Sequence, residues 1–157
     1  MSQIQDDATL TEAKNSVSAV QVPAPDTLLN SKSPGDDASL QPVIKTFTEI
    51  LSLPPDWNSY GAPLIDPDCV KFILDELLPF VMHPDTPIPA VVPTVRRGVQ
   101  LEWHLRGIDL EIEIFSPGHL YVVYDNHATG KYWEREIWSD LGPLVEPVRE
   151  LSQSSQV

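Results

Sequence analysis

The chain has 157 residues, with 23 acidic against 10 basic side chains, one cysteine and 16 prolines. That length suits one domain with room for a tail. A net charge of −13 and a pI near 4.4 argue against direct nucleic-acid binding, because phosphates need Lys and Arg partners, and a single cysteine excludes a disulfide-built secreted scaffold.

Residues 1–41 contain no aromatic side chain and are dominated by Ser, Asp, Gln, Thr and Pro. Such a stretch buries too little apolar surface to offset the entropy of ordering it, so it reads as a disordered acidic tail. Short pieces such as Val17-Ser18-Ala19-Val20 are suited to transient pairing with a partner. Asp6 and Asp7 stand where a secretory signal carries positive charge, and no apolar h-region follows. The most apolar stretch, Val70 to Met82, is interrupted by Lys71, Asp75, Glu76 and Pro79, so no membrane span is expected and the cytoplasm is the expected compartment.

Every aromatic residue lies between Phe47 and Trp138, which places a single α+β domain over residues 42–151 and a disordered C-terminus over 152–157. A first helix is predicted from about Pro42 to Ser52, with Val43, Ile44, Phe47, Ile50 and Leu51 on one face. A second starts with Asp66 as cap and Pro67 in the first turn; Val70, Ile73, Leu74, Leu77 and Leu78 form its stripe, and Pro79 with the Pro84–Pro89 segment ends it. From Ala90 the hydrophobic period becomes two. Ala90–Val95 is a first strand, held to a sheet edge by Pro93. Val99–Leu105 and Ile108–Ile114 flank Arg106-Gly107, a two-residue hairpin loop. Leu120–Asp125 and Lys131–Trp138 follow as strands, and a short helix from about Asp140 to Leu151 closes the domain. The order is two helices, an antiparallel meander of about five strands, and a helix.

The Arg106-Gly107 loop fixes a register in which Leu105 faces Ile108, Trp103 faces Leu110, Leu101 faces Ile112 and Val99 faces Ile114. The other face then sets His104 beside Asp109, Glu102 beside Glu111, and Gln100 beside Glu113. A four-residue loop over Ser116–His119 would extend this face with Tyr124 beside Glu111 and Val122 beside Glu113, whereas a three-residue loop would flip the third strand. Two carboxylates ~5 Å apart repel by roughly 1 kcal/mol in water and about 3 kcal/mol at an effective dielectric of 20. A cationic group over Glu102, Glu111 and Glu113 would relieve that repulsion. The plain alternative is the wet side of a half-exposed sheet, whose charges also deter edge-to-edge aggregation.

Catalytic signatures are missing. The glycines are too scattered for a phosphate-binding loop, and there is no C-x-x-C or H-E-x-x-H. Glu102, His104, Asp109 and Glu111 offer oxygen and imidazole ligands to a divalent ion, but the central strands lack the lysine that metal-dependent nucleases usually add. Cys69 lies in the first turn of the second helix, where Asp66 and Asp68 oppose any activation of its thiol. His83, His119 and His127 sit in or beside turns and receive no role. The proline-stiffened loop Leu53–Pro63 presents Trp57 and Tyr60, either as interface anchors or, preferably, as plugs sealing the loop onto its own core.

Trp57-Asn58-Ser59-Tyr60-Gly61-Ala62, Gly98-Val99-Gln100-Leu101-Glu102-Trp103-His104 and Gly107-Ile108-Asp109-Leu110-Glu111-Ile112-Glu113 together resemble a family of small acidic bacterial proteins, over roughly residues 45–135. The resemblance implies a bacterial-type domain. No activity, ligand or catalytic residue is attached to that family, so none is carried over.

The sequence therefore leads to a non-enzymatic module, antitoxin-, immunity- or inhibitor-like, that binds a basic protein partner through an acidic sheet face. Its binding residues are Glu102, His104, Asp109, Glu111, Glu113 and Tyr124, with Trp57 and Tyr60. No catalytic residue, metal or cofactor is assigned. The rival reading is a divalent-metal-dependent hydrolase or nuclease centred on Glu102, His104, Asp109 and Glu111.

Overall fold

The computed structural model describes residues 38–153. A 3₁₀ turn, Ala38–Leu40, leads into α1, Gln41–Leu51, in which Pro42 occupies the first turn at no hydrogen-bonding cost. Val43, Phe47 and Ile50 are buried, as their helical spacing requires. Leu40 is buried too, so the chain joins the domain by Ala38, a little before the boundary expected at residue 42. The remainder of the expected tail lies outside the described residues, as do residues 154–157.

The second helical stretch begins as expected. In α2, Pro67–Phe72, the Asp66 carboxylate accepts the Asp68 N–H at 3.0 Å. Pro79 does not end the helix. The chain widens into a π-helical turn over Ile73–Leu77, where the Leu78 N–H reaches back to the Ile73 carbonyl, and resumes as α3, Leu78–Val81. A proline in an uninterrupted α-helix would clash with the carbonyl four residues earlier. The π-turn instead puts Pro79 in the opening turn of α3, where an N–H is not needed, and Leu77, Leu78 and Val81 remain buried.

Cys69, in α2, is fully buried. Burial pushes its thiol up to about 11, with Asp66 and Asp68 adding to the rise and Arg97 opposing it. The loss of solvation outweighs the helix dipole. A thiol-specific reagent at pH 8 is expected to leave native Cys69 unmodified and to label it fully in denaturant; rapid native labelling would contradict this placement.

The sheet is a five-stranded antiparallel meander in the order β1-β2-β3-β4-β5: Ala90–Pro93, Val99–Leu105, Ile108–Ser116, His119–Asn126 and Lys131–Trp138. The domain is thus α+β. Arg106 and Gly107 both adopt positive φ, 53° and 79°, which the tight hairpin between β2 and β3 requires. Every β2–β3 pair falls in the expected register, from Leu105 opposite Ile108 to Val99 opposite Ile114. One face of the sheet, carrying Val99, Leu101, Trp103, Leu110, Ile112, Ile114, Leu120, Val122, Tyr124 and Ile137, joins the buried residues of the helices in a single core.

The next hairpin corrects the expected third strand. Ser116 does face His119, but Phe115 is a bulged extra residue, so Ile114 pairs with Leu120 and every pair beyond is shifted by one. Val123 stands beside Glu111 and Tyr121 beside Glu113, while Val122 and Tyr124 turn into the core. Without the bulge, Leu120, Val122 and Tyr124 would lie on the wet face and Asp125 in the core. Hydrophobic patterning overrides the loop register.

A 3₁₀ turn, Gly142–Leu144, precedes α4, Val145–Gln153, so the last helix starts after Gly142 and Pro143. Tyr124 and Asn126 of β4 both donate to the Glu150 carboxylate, Asn126 at 2.6 Å, and Lys131 of β5 reaches Glu146 at 2.6 Å. The tyrosine expected on the acidic face therefore docks α4 on the opposite side.

Candidate acidic face

The face turned away from the helices is laid out in rows by strand pairing. One row holds Gln100, Glu113, Tyr121 and Glu136; the next holds Glu102, Glu111, Val123 and Glu134; a third holds His104, Asp109, Asp125 and Tyr132. The sequence register brought together Glu102, His104, Asp109, Glu111 and Glu113. It missed Asp125, Glu134 and Glu136, because their place depended on the bulge at Phe115.

The carboxylates are compensated unequally. Glu113 is buried and held by both Nε (3.0 Å) and Nη2 of Arg96, from the β1–β2 connection. That fork neutralises the Glu113 charge and occupies one lone pair on each of its oxygens. Glu102 and Glu111, directly opposite one another, share the neutral amide of Gln100, whose Nε2 lies 2.9 Å from Glu102 and 3.2 Å from Glu111, with His104 Nε2 farther off at 3.5 and 3.9 Å.

At the hairpin end, Asp109 accepts from two imidazoles. His104 Nδ1 lies 2.8 Å from Oδ1 and His127 Nε2 lies 2.7 Å from Oδ2. His127, given no role from sequence, arrives because β4 pairs with β3 up to Ile108 opposite Asn126 and the His127 N–H donates to the Gly107 carbonyl at 2.8 Å. The hydrogen bond to Asp109 raises the pKa of both histidines; Glu102 adds to the rise at His104 and Asp125 at His127. Hydrogen bonds from His127 and His104 hold Asp109 below the usual carboxylate range.

These directions fix a sign. The histidine contribution to stability is complete below the unfolded value near ~6.5 and is lost as pH rises through the folded values. The Asp109 contribution is complete above about 3.9 and is lost as pH falls through its depressed value. Asp109→Asn is therefore expected to destabilise most between about pH 4 and 6.5 and less above pH 8. Denaturant melts across this range check it, and a penalty that grows above pH 8 would contradict it.

The opposite end of the face is aromatic. His119 stacks on Trp138 with ring centroids 3.7 Å apart, Phe115 meets His119 edge-on at 4.8 Å, and Arg96 lies over Phe115. Trp138 itself is 64% exposed. No sequence signal placed these rings together, since the bulge and the hairpin turn decide it.

In the loop Leu53–Pro63, Trp57 is half-buried and donates its indole N–H to the Pro63 carbonyl of the same loop at 3.2 Å. Tyr60 is no plug: it is 92% exposed, on a loop tied by Asn58 Oδ1 to the backbone N–H groups of Tyr60 and Ala62 at 2.9 and 3.1 Å. Asp56, Ser59 and Gly61 all take positive φ there. None of the described hydrogen bonds, ion pairs or ring contacts links this loop to the acidic face.

Glu102, His104, Asp109 and Glu111 lie in two neighbouring rows of the β2–β3 ladder, with His104 at 3.5, 2.8 and 3.9 Å from Glu102, Asp109 and Glu111. Among the described residues, no group of three or more His, Cys, Asp or Glu side chains is placed to hold a metal ion. Nor is any described helix long and apolar enough to cross a membrane.

No family model, no curated protein and no solved structure matches this chain.

Proposed function

We propose that the chain is a non-enzymatic protein-binding module whose acidic sheet face takes a basic protein partner, in the manner of antitoxins, immunity proteins and other inhibitors of basic proteins. The observation that carries this reading is the Glu102–Glu111 pair. Its neighbours Glu113 and Asp109 have cationic or imidazole hydrogen-bond partners, whereas these two carboxylates face each other across a neutral amide, with His104 Nε2 no closer than 3.5 and 3.9 Å. A lysine or arginine brought over them removes like-charge repulsion and adds attraction of its own. Tyr132 and Trp138, exposed on the same face, supply the apolar contact area that interfaces favour.

The test is isolation of a stoichiometric partner in low salt, followed by Glu102→Lys with Glu111→Lys. The double reversal is expected to weaken binding by about 100-fold, or roughly 3 kcal/mol, and to flatten its salt dependence. Glu49→Lys, on the exposed side of α1, should leave binding unchanged. Retention of a basic partner by the double variant would remove the acidic face from the interaction.

A further inference from the structure

Each imidazole at the hairpin end of the face has a carboxylate near both of its ring nitrogens. His104 Nδ1 faces Asp109 at 2.8 Å, while its Nε2 faces Glu102 at 3.5 Å and Glu111 at 3.9 Å. His127 Nε2 faces Asp109 at 2.7 Å, and its Nδ1 faces Asp125 at 3.7 Å. A neutral imidazole has one N–H and one lone pair, so in either tautomer it turns a lone pair towards one of these carboxylates. Only the imidazolium directs an N–H at every neighbour. The geometry thus favours protonation of both rings, independently of any single hydrogen bond, and the raised pKa of each agrees with it.

Protonation also changes what the face offers. With both rings charged, Asp109 is doubly neutralised, and positive charge stands beside Glu102, Glu111 and Asp125. With both rings neutral, those carboxylates are left to an outside cation. We propose that His104 and His127, hinged on Asp109, form a proton-operated gate that weakens the hold of the acidic face on a cationic partner as pH falls. This rests on the acidic face being the binding surface.

Other charged groups stand around the gate. Glu102, Asp109, Glu111 and Asp125 face the two rings, and Tyr132 of β5 pairs with Asp125, its hydroxyl pushed up by its hydrogen bond to Glu134. Arg106 stands in the hairpin turn, and Lys131 is held by Glu146 and Glu150. His119 lies at the aromatic end of the face beside Glu136, and His83 belongs to the helical side.

The probe is a capped tetralysine peptide, acetylated and amidated so that its own charge is constant from pH 5.5 to 8.5. Binding to the full chain is followed by NMR at low ionic strength, together with the imidazole resonances of all four histidines. Binding is expected to be about tenfold tighter at pH 8.5 than at 5.5, with the largest shifts at Glu102, Asp109 and Glu111 and with His104 and His127 titrating above 6.5. His104→Asn with His127→Asn should abolish the pH dependence, and His119→Gln should preserve it. Equal binding at both pH values overturns the gate while leaving the acidic face intact, as does pH dependence that survives the double variant. Failure to bind at either pH overturns the acidic-face reading and the gate with it.

Discussion

Replacing Gly98 with alanine is expected to cost about 3 kcal/mol or more and to lower Tm by roughly 10–20 °C. Gly98 is buried where β1 turns into β2, and a β-carbon built on it falls on the carbonyl oxygen of Ile114, with the carbonyl carbon 3.1 Å away. The obstacle is backbone, so no side-chain rotation relieves it. Thr94 presses from the other side, its N–H donating to the Gly98 carbonyl at 3.0 Å. Relief requires β2 and β3 to separate next to the bulge at Phe115, which would disturb the register that sorts apolar from acidic side chains. A domain stable by some 5–15 kcal/mol loses a large share of its margin. Gly130→Ala is the control. It also sits in a turn, at φ 70°, but nothing lies within 4 Å of the added carbon, so only the ~1–2 kcal/mol of left-handed strain is expected. Thermal melts of the two variants separate steric obstruction from conformational strain. Equal losses would refute the account of Gly98.

The second large effect belongs to Trp103. It is 1% exposed, stands opposite Leu110 at the centre of the core face, and donates its indole N–H to the Pro87 carbonyl at 2.7 Å. That bond ties the proline-rich connection after α3 down onto the sheet. Trp103→Ala is expected to destabilise by about 3–5 kcal/mol through the cavity it leaves. Trp103→Phe keeps most of the ring volume and loses the bond, for about 1–2 kcal/mol. If phenylalanine proves as costly as alanine in denaturant melts, the hydrogen bond rather than the packing is what holds the connection.

Much of the candidate site is legible in the sequence because the β2–β3 hairpin is locally determined. Arg106-Gly107 allows a two-residue turn, strict alternation fixes which side chains face the core, and apolar pairing on one face dictates acidic pairing on the other. The register from Val99 to Ile114 needs no other part of the chain. Legibility stops at Phe115. Turn residues specify how Ser116 meets His119, but one extra residue in β3 is adopted only because the helices demand Leu120, Val122 and Tyr124 as core. Tyr124 thereby leaves the acidic face, and Tyr121 and Asp125 join it. His127 reaches Asp109 for the same reason, as a consequence of where β4 ends relative to the first hairpin. Pro79 is a parallel case in the helices. Its local meaning is a stop, yet burial of Leu77, Leu78 and Val81 outweighs it once a π-turn removes the clash.

The composition gave an excess of acid over base as one number for the whole chain. Alternation alone placed Glu102, Glu111 and Glu113 on one side of a hairpin, because period-two patterning is a property of the strand itself. Tertiary structure decided how each charge is answered. Arg96 arrives from the β1–β2 connection to neutralise Glu113, and His127 from the β4–β5 turn to share Asp109, while Glu102 and Glu111 have the Gln100 amide at hydrogen-bond distance and the His104 ring beyond it. Those partners come from separate strands and turns, and only packing the sheet against its helices brings them within hydrogen-bonding reach.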